Sequence, residues 1–220
     1  MELTGQQVKE PKPTTGSVAG ILLLAGLSSR LGFPKALLTF GNQPLIRHAL
    51  LQALDSELGQ VILVLGHKKL EILKRAGDLK QHPKLSIIFN PDFKEGLSTS
   101  LRTGLTQVNP GSAGALFLLG DQPLLTAQVI NKLIRAFRKN PTAIIVPNYG
   151  ERPGNPVLFP ASFYPQLQRL SGDSGGRELI KKCVRRVQFI PIRPQRIGWD
   201  VDTWEDYEKV KKWFTGLNQS

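Results

Sequence analysis

The 220-residue chain is 40% hydrophobic and 21% charged, ordinary globular material with enough apolar content to bury the core of one domain. Its longest apolar run, Val18 to Leu27, is far too short to span a bilayer, the single cysteine Cys183 forms no internal disulfide, and three scattered histidines offer no zinc spacing. The net charge of +12 favours anionic partners.

Residues 1–17, MELTGQQVKEPKPTTGS, are polar and Pro-bearing with no apolar centre. They read as a disordered tail rather than a secretion signal, which makes the cytoplasm the expected compartment. Val18 to Leu24 is short, continuous and apolar, as a strand covered on both faces is. Pro44 to Leu58 reads as a helix with Leu45, Ile46, Ala49, Leu50, Ala53 and Leu54 on one stripe, on which His48 is a packed histidine rather than a ligand. Gln60 to Leu65 is the second strand, followed by a helix through Arg75, and Leu85 to Phe89 is the third, followed by a helix starting near Ser98. Ala115 to Leu119 is the fourth, Thr126 caps a helix running through Lys139, and Thr142 to Val146 is the fifth. Strands alternating with helices predict a Rossmann-like three-layer α/β/α fold with a mostly parallel central sheet, within one domain over residues 18–215. Ligands of such sheets bind beyond the carboxyl ends of the strands.

The first such end is the most informative. The strand empties into AGLSSRLGFPK, where Gly26 allows close backbone approach, Ser28 and Ser29 supply hydroxyls, and Arg30 and Lys35 supply cations, with Pro34 fixing the backbone before Lys35. This suits phosphate oxygens, although strand-to-helix turns commonly favour Gly and Ser and surface cations are usually solvated. It is neither GxxxxGK[ST] nor GxGxxG, which argues against a kinase or a P-loop switch. The fourth strand ends in Gly120, Asp121, Gln122 and Pro123, placing a carboxylate on the same edge. A carboxylate meets a triphosphate only through a metal such as Mg²⁺; otherwise Asp121 is a turn former. WDVDTWED brings Asp200 and Asp202, with Thr203 a cap for the helix through Trp204, Tyr207 and Val210, and Asp202 is either a metal ligand or part of that cap. In Lys181 to Arg196 six cations occur with no acidic residue between them and one aromatic, Phe189. The run suits a phosphorylated small molecule or a solvated surface better than nucleic acid, since zinc-finger spacing and a basic helix joined to heptads are both missing.

Taken in order, LLAGLSSRLGFPKALLTFGNQPLIRHAL, NPDFKEGLSTSLRTGL, LLGDQPLL, GNPVLFP, SGDSGGRELI and DVDTWED resemble the molybdenum cofactor cytidylyltransferases, from about Val18 to Lys211. The resemblance implies a nucleotidyltransferase of glycosyltransferase A-like, nucleotide-diphospho-sugar transferase type, with a nucleotide-binding N-terminal half and an acceptor-binding C-terminal half. It implies transfer of CMP from CTP to the terminal phosphate of molybdopterin, with release of pyrophosphate and dependence on Mg²⁺. It further implies CTP or another NTP and a molybdopterin-type acceptor as ligands, a molybdoenzyme or its chaperone as a further partner, and neither nucleic acid nor membrane. By the same resemblance, the nucleotide loop falls on Ala25, Gly26, Ser28, Arg30, Gly32 and Lys35, with Arg30 and Lys35 gripping the triphosphate. Asp121 binds the metal with Asp202 as its partner, and Ser98 and Ser100 border base and acceptor. Asn155 and the Gly172 to Arg177 stretch, with Asp173 and Arg177, fall in the half that receives the pterin. In that stretch an apparent helix start favours anions or is an ordinary cap.

Departures from the family pattern leave alternatives. Leu31 stands where methionine is usual, GNP stands where GHP is common so that Asn155 keeps a hydrogen-bonding side chain but cannot take a proton, and Trp204 replaces a proline. Ala25 before Gly26 looks like the cytidylyl branch, whereas guanylyl relatives tend towards two glycines. The alternatives are GTP or another phosphorylated acceptor such as a sugar phosphate, and a carrier that binds a nucleotide-bearing cofactor without forming it.

Overall fold

A computed structural model describes residues 16–26, 30–173 and 175–217. Strand β1 (Val18–Leu24) is buried at every position. A two-residue ribbon, β2 (Thr39–Phe40) and β3 (Gln43–Pro44), leads into α1 (Leu45–Leu54). Then come β4 (Gln60–Leu65), α2 (Lys69–Ala76), β5 (Leu85–Phe89), α3 (Leu97–Leu105), β6 (Gly114–Leu119) and α4 (Ala127–Lys139), the last capped by the Thr126 hydroxyl as expected. The second half holds β7 (Ile144–Tyr149), β8 (Arg152–Pro153), β9 (Val157–Pro160), α5 (Tyr164–Gln168), α6 (Arg177–Lys182), β10 (Val187–Pro191) and α7 (Trp204–Leu217).

The sheet runs β10-β7-β9-β6-β1-β4-β5, with β8 paired to β7. β1 pairs in parallel with both β4 and β6, Leu24 opposite Leu65 and Leu23 opposite Leu119. Three strands therefore end level, and the loops that leave them share one edge. Alternate strand residues face two apolar layers. Leu22, Leu63 and Leu118 meet α1, α2 and α4 on one side, while Ile21, Ile62 and Phe117 meet α3 and α5 on the other. A third, smaller cluster seats Leu31, Leu38 and Phe40 against Val201 and Val210, which anchors the cation-bearing loop to α7.

The sheet is mostly parallel, as expected, and β9 is the strand that lies antiparallel between β6 and β7. After β7 the chain turns at Gly150 (φ 77°) into β8 and returns with no helix between, so the crossover needed for a parallel neighbour is missing. The fifth strand is displaced towards its carboxyl end, Ile144–Tyr149 rather than Thr142 to Val146. Pro147 hides its extension from a propensity reading. The first helix likewise stops at Leu54 rather than Leu58, where the Ser56 hydroxyl bonds the Ala53 carbonyl at 2.6 Å.

Candidate active site

Level strand ends bring together loops that are far apart in sequence. Ala25 and Gly26 follow β1, Gly66 follows β4, and Gly120 and Asp121 follow β6. The packing leaves no room for larger residues. A Cβ on Gly120 would lie 1.9 Å from Leu24 Cδ2, and one on Gly66 would lie 2.8 Å from the Ala25 carbonyl oxygen. Gly26 is different, because a Cβ there would meet nothing within 4 Å among the described residues; its open side faces the cavity.

Asp202 reaches the same place from α7. Thr203 caps that helix, its Oγ1 accepting from the Asp206 N–H at 3.1 Å while Asp206 Oδ2 accepts from the Thr203 N–H at 3.0 Å. This reciprocal cap does the work that Asp202 could otherwise have done. Asp202 is thereby left to face the loop, and the Val201 N–H, donating to the Asp121 carbonyl at 2.9 Å, ties the two acidic segments together.

The charges converge on Lys35. Its ammonium donates to Asp121 Oδ2 at 3.0 Å and to Asp202 Oδ1 at 2.5 Å, and Arg30 Nη1 donates to Asp202 Oδ2 at 3.2 Å. Burial opposes the Lys35 charge, but the two carboxylates outweigh it and hold the ammonium above its ordinary pKa. Burial raises Asp121 above the usual carboxylate range, against the pull of Lys35. Asp200 is pushed up to about 6 by burial and then by the charge of Asp121. Asp121 Oδ1 and Asp200 Oδ1 are buried and have no hydrogen-bond partner among the described residues.

These groups wall a cavity of about 560 Å³. Ala25, Gly26, Arg30, Lys35, Ser100, Asp121, Asp173 and Asp202 all line it, joined by Phe93, Lys94 and Leu97. Other expected residues stand elsewhere. Ser98 is fully buried and off the cavity wall, its N–H donating to the Gly172 carbonyl at 3.1 Å. Gly32 (φ 63°) shapes the loop without lining the cavity. Asn155 sits at the same sheet edge but outside the lining, its carbonyl accepting from the Tyr149 hydroxyl at 2.6 Å. Arg177 begins α6 as expected, yet it too lies off the wall, and Ser28 falls outside the described residues. Asp173 is a lining residue that also accepts from the Leu97 N–H at 3.3 Å, so Gly172 and Asp173 dock on the start of α3. The six cations of the Lys181 to Arg196 run are not among the lining residues.

Phe93 and Lys94 were not singled out from the sequence. The signal lies in Asn90, whose buried side chain donates to Thr99 Oγ1 at 2.8 Å and Ser100 Oγ at 2.9 Å and accepts from the Asp92 N–H at 3.0 Å. Asn90 thus folds NPDFKEG back over α3, carrying Phe93 and Lys94 to the mouth.

A mostly parallel sheet with cations and carboxylates gathered beside a glycine-bearing turn at its carboxyl edge suits a phosphate-bearing ligand, and the family match makes the class a nucleotidyltransferase. The chain belongs to the MobA-like NTP transferase domain family, whose description matches residues 20–187. It is 30% identical over 202 residues to the nicotine blue oxidoreductase of Paenarthrobacter nicotinovorans, spanning 88% of this chain and 96% of that protein. It is 28% identical over 197 residues to the molybdenum cofactor cytidylyltransferase of Escherichia coli K12, spanning 90% and 97%. Among solved structures, the homologue of Mycobacterium tuberculosis rv0371c from Mycobacterium sp. strain JC1 superposes with a TM-score of 0.80 at 32% identity, over 93% of this chain and 100% of that one.

Proposed function

We propose that the protein transfers CMP from CTP to the terminal phosphate of molybdopterin, releasing pyrophosphate, with Mg²⁺ as cofactor. The observation that carries this reading is the convergence of Lys35 and Arg30 with Asp121 and Asp202 beside the open Gly26 turn. The similarity to the Escherichia coli cytidylyltransferase and the Ala25–Gly26 pair support CTP as donor.

Asp121 and Asp202 fit a divalent cation. Asp121 Oδ1 is a buried anionic oxygen without a partner among the described residues. The charges of Lys35, Arg30, Asp121 and Asp202 cancel, so the four alone offer no net attraction for a triphosphate. No group of three or more His, Cys, Asp or Glu side chains able to hold a metal occurs among the described residues, so Asp121 and Asp202 would hold the ion only together with ligands from outside the protein. When bound, the ion supplies positive charge to the triphosphate oxygens.

The acceptor phosphate, with a second pKa near ~6, is mostly dianionic at neutral pH and needs no base. One of its oxygens forms a bond to the α-phosphorus, the bond from that phosphorus to the bridging oxygen breaks, and pyrophosphate leaves with the electron pair. Arg30 and Lys35 orient the triphosphate and meet the charge building on the leaving group. Lys94, Ser100 and Asp173 also line the cavity and are the residues this reading gives to the acceptor. The test is to incubate protein and Mg²⁺ with molybdopterin and each NTP in turn and measure pyrophosphate. Release with CTP above the others is expected. Release with GTP alone would move the protein to the guanylyl reaction, and silence with every nucleotide would leave the carrier reading.

A further inference from the structure

A second cleft, of about 550 Å³, lies outside the catalytic cavity and is lined by Tyr149, Glu151, Arg152, Gln195, Arg196, Trp199, Lys209 and Trp213. Its volume is in the range of small-molecule sites. Three cations face one carboxylate across it, and none of Arg152, Arg196 and Lys209 forms an ion pair among the described residues.

Two of the cations are held instead by rings. Lys209 Nζ lies 3.9 Å from the centre of the Trp199 ring and 5.3 Å from that of Trp213, and Arg152 Cζ lies 5.2 Å from the Trp199 ring. The two indoles meet edge to face at 5.6 Å. A ring face positions a cation without neutralising it, so Arg152 and Lys209 are pre-placed, and the lining holds three cations against the one carboxylate of Glu151. The floor is firm as well. A Cβ on Gly198 would lie 2.3 Å from the Tyr149 ring and one on Gly154 would lie 3.0 Å from it, so backbone presses directly on that ring.

We propose that the cleft between Trp199, Trp213, Arg152, Arg196 and Lys209 is a second binding site, for a small anion bearing phosphoryl groups. Two guanidinium groups and an ammonium suit several oxygens of one polyanion, and each guanidinium can take two. The volume, within the range of small-molecule sites, favours a small molecule over an acidic protein surface. Free pyrophosphate and a nucleotide share this chemistry, and separate titrations tell them apart.

The experiment is calorimetric titration of the full chain with inorganic pyrophosphate, with CTP and with GTP. It is repeated on Arg152→Gln/Lys209→Gln, on Arg196→Glu and on Lys35→Ala, with thermal melts to establish folding. The expected result is a binding event that the double variant loses, that Arg196→Glu weakens about tenfold or more, and that Lys35→Ala retains. Arg196 is exposed and has no ring contact, so its variant tests the site even if the double variant unfolds. A response to pyrophosphate assigns the site to phosphoryl groups alone; a response to nucleotides only adds the base to what it recognises. If no titrant shows an event sensitive to Arg196→Glu, or if every event disappears with Lys35→Ala, the proposal is overturned.

Discussion

Val201 donates its backbone N–H to the carbonyl oxygen of Asp121 at 2.9 Å, which locks the turn after β6 to the segment before α7. The bond uses main chain only, so loss of the Asp121 side chain, which bonds Lys35, leaves the junction in place. Asp121→Ala is therefore expected to fold normally by circular dichroism and to lower kcat for pyrophosphate release by about 10²-fold or more, the range expected when a key electrostatic group is removed. Unchanged turnover in a folded variant would remove Asp121 from the mechanism.

Lys35 neutralises the same carboxylates, and its removal has a different signature. Lys35→Ala leaves Asp121 and Asp202 facing each other near Asp200 without the ammonium, at an expected cost of about 1–3 kcal/mol in stability. A divalent cation then has more repulsion to relieve. Mg²⁺ should raise the melting temperature of Lys35→Ala by more than that of the unaltered chain. Equal responses, measured by thermal melts with and without EDTA, would argue against these carboxylates as the metal site.

Most of this arrangement was legible because it depends on local pattern. The apolar runs over β1, β4 and β5 have the bounds the sequence suggested, since strands buried on both faces leave an unbroken signal. Asp121 and Lys35 could be placed on one edge once parallel strands were inferred. What stayed hidden was settled by long-range pairing. β9 is bracketed by Pro156 and Pro160, and it is antiparallel because of the β7–β8 hairpin, a tertiary matter. Ser98 reads as a donor in a motif, yet the helical turn aims it into the core while Ser100 faces the cavity. Whether Asp202 caps α7 or faces the site depended on Asp206, whose carboxylate completes the cap with Thr203.

His48 offers a pH test independent of catalysis. Burial holds its pKa below the ordinary 6.5, with the Pro123 carbonyl working the other way, and the ring packs on Phe214 at 5.1 Å. A histidine whose pKa is depressed on folding is favoured neutral. As pH falls the unfolded chain takes up the proton first, so the stabilisation is complete above about 6.5 and is lost below it. Unfolding free energy from urea titrations should fall between pH 7 and pH 5, with a slope from this group of at most about 1.4 kcal/mol per pH unit. His48→Gln should flatten that part of the profile. An identical profile in the variant would assign the acid sensitivity to other groups.

Gly96 joins the two halves of the cavity wall. It has φ 109°, which side chains rarely adopt, and a Cβ there would lie 2.4 Å from the Gly172 carbonyl carbon. Backbone presses on backbone at this point, so the neighbour has no flexible end that could move aside. Gly96→Ala is expected to cost about 1–3 kcal/mol through strain and to push the Gly172–Asp173 segment off the start of α3, breaking the Ser98 N–H to Gly172 carbonyl bond of 3.1 Å. Asp173 and Leu97 line the cavity on this side. On the proposed reading, which gives the triphosphate to Lys35, the variant should therefore raise KM for the acceptor more than KM for the nucleotide. Asp173→Ala removes only the side-chain bond to the Leu97 N–H and should change stability by less than about 1 kcal/mol. Parallel melts and steady-state kinetics on both variants decide it: a Gly96→Ala protein with unaltered melting and unaltered acceptor KM would show that the two backbones can separate without cost.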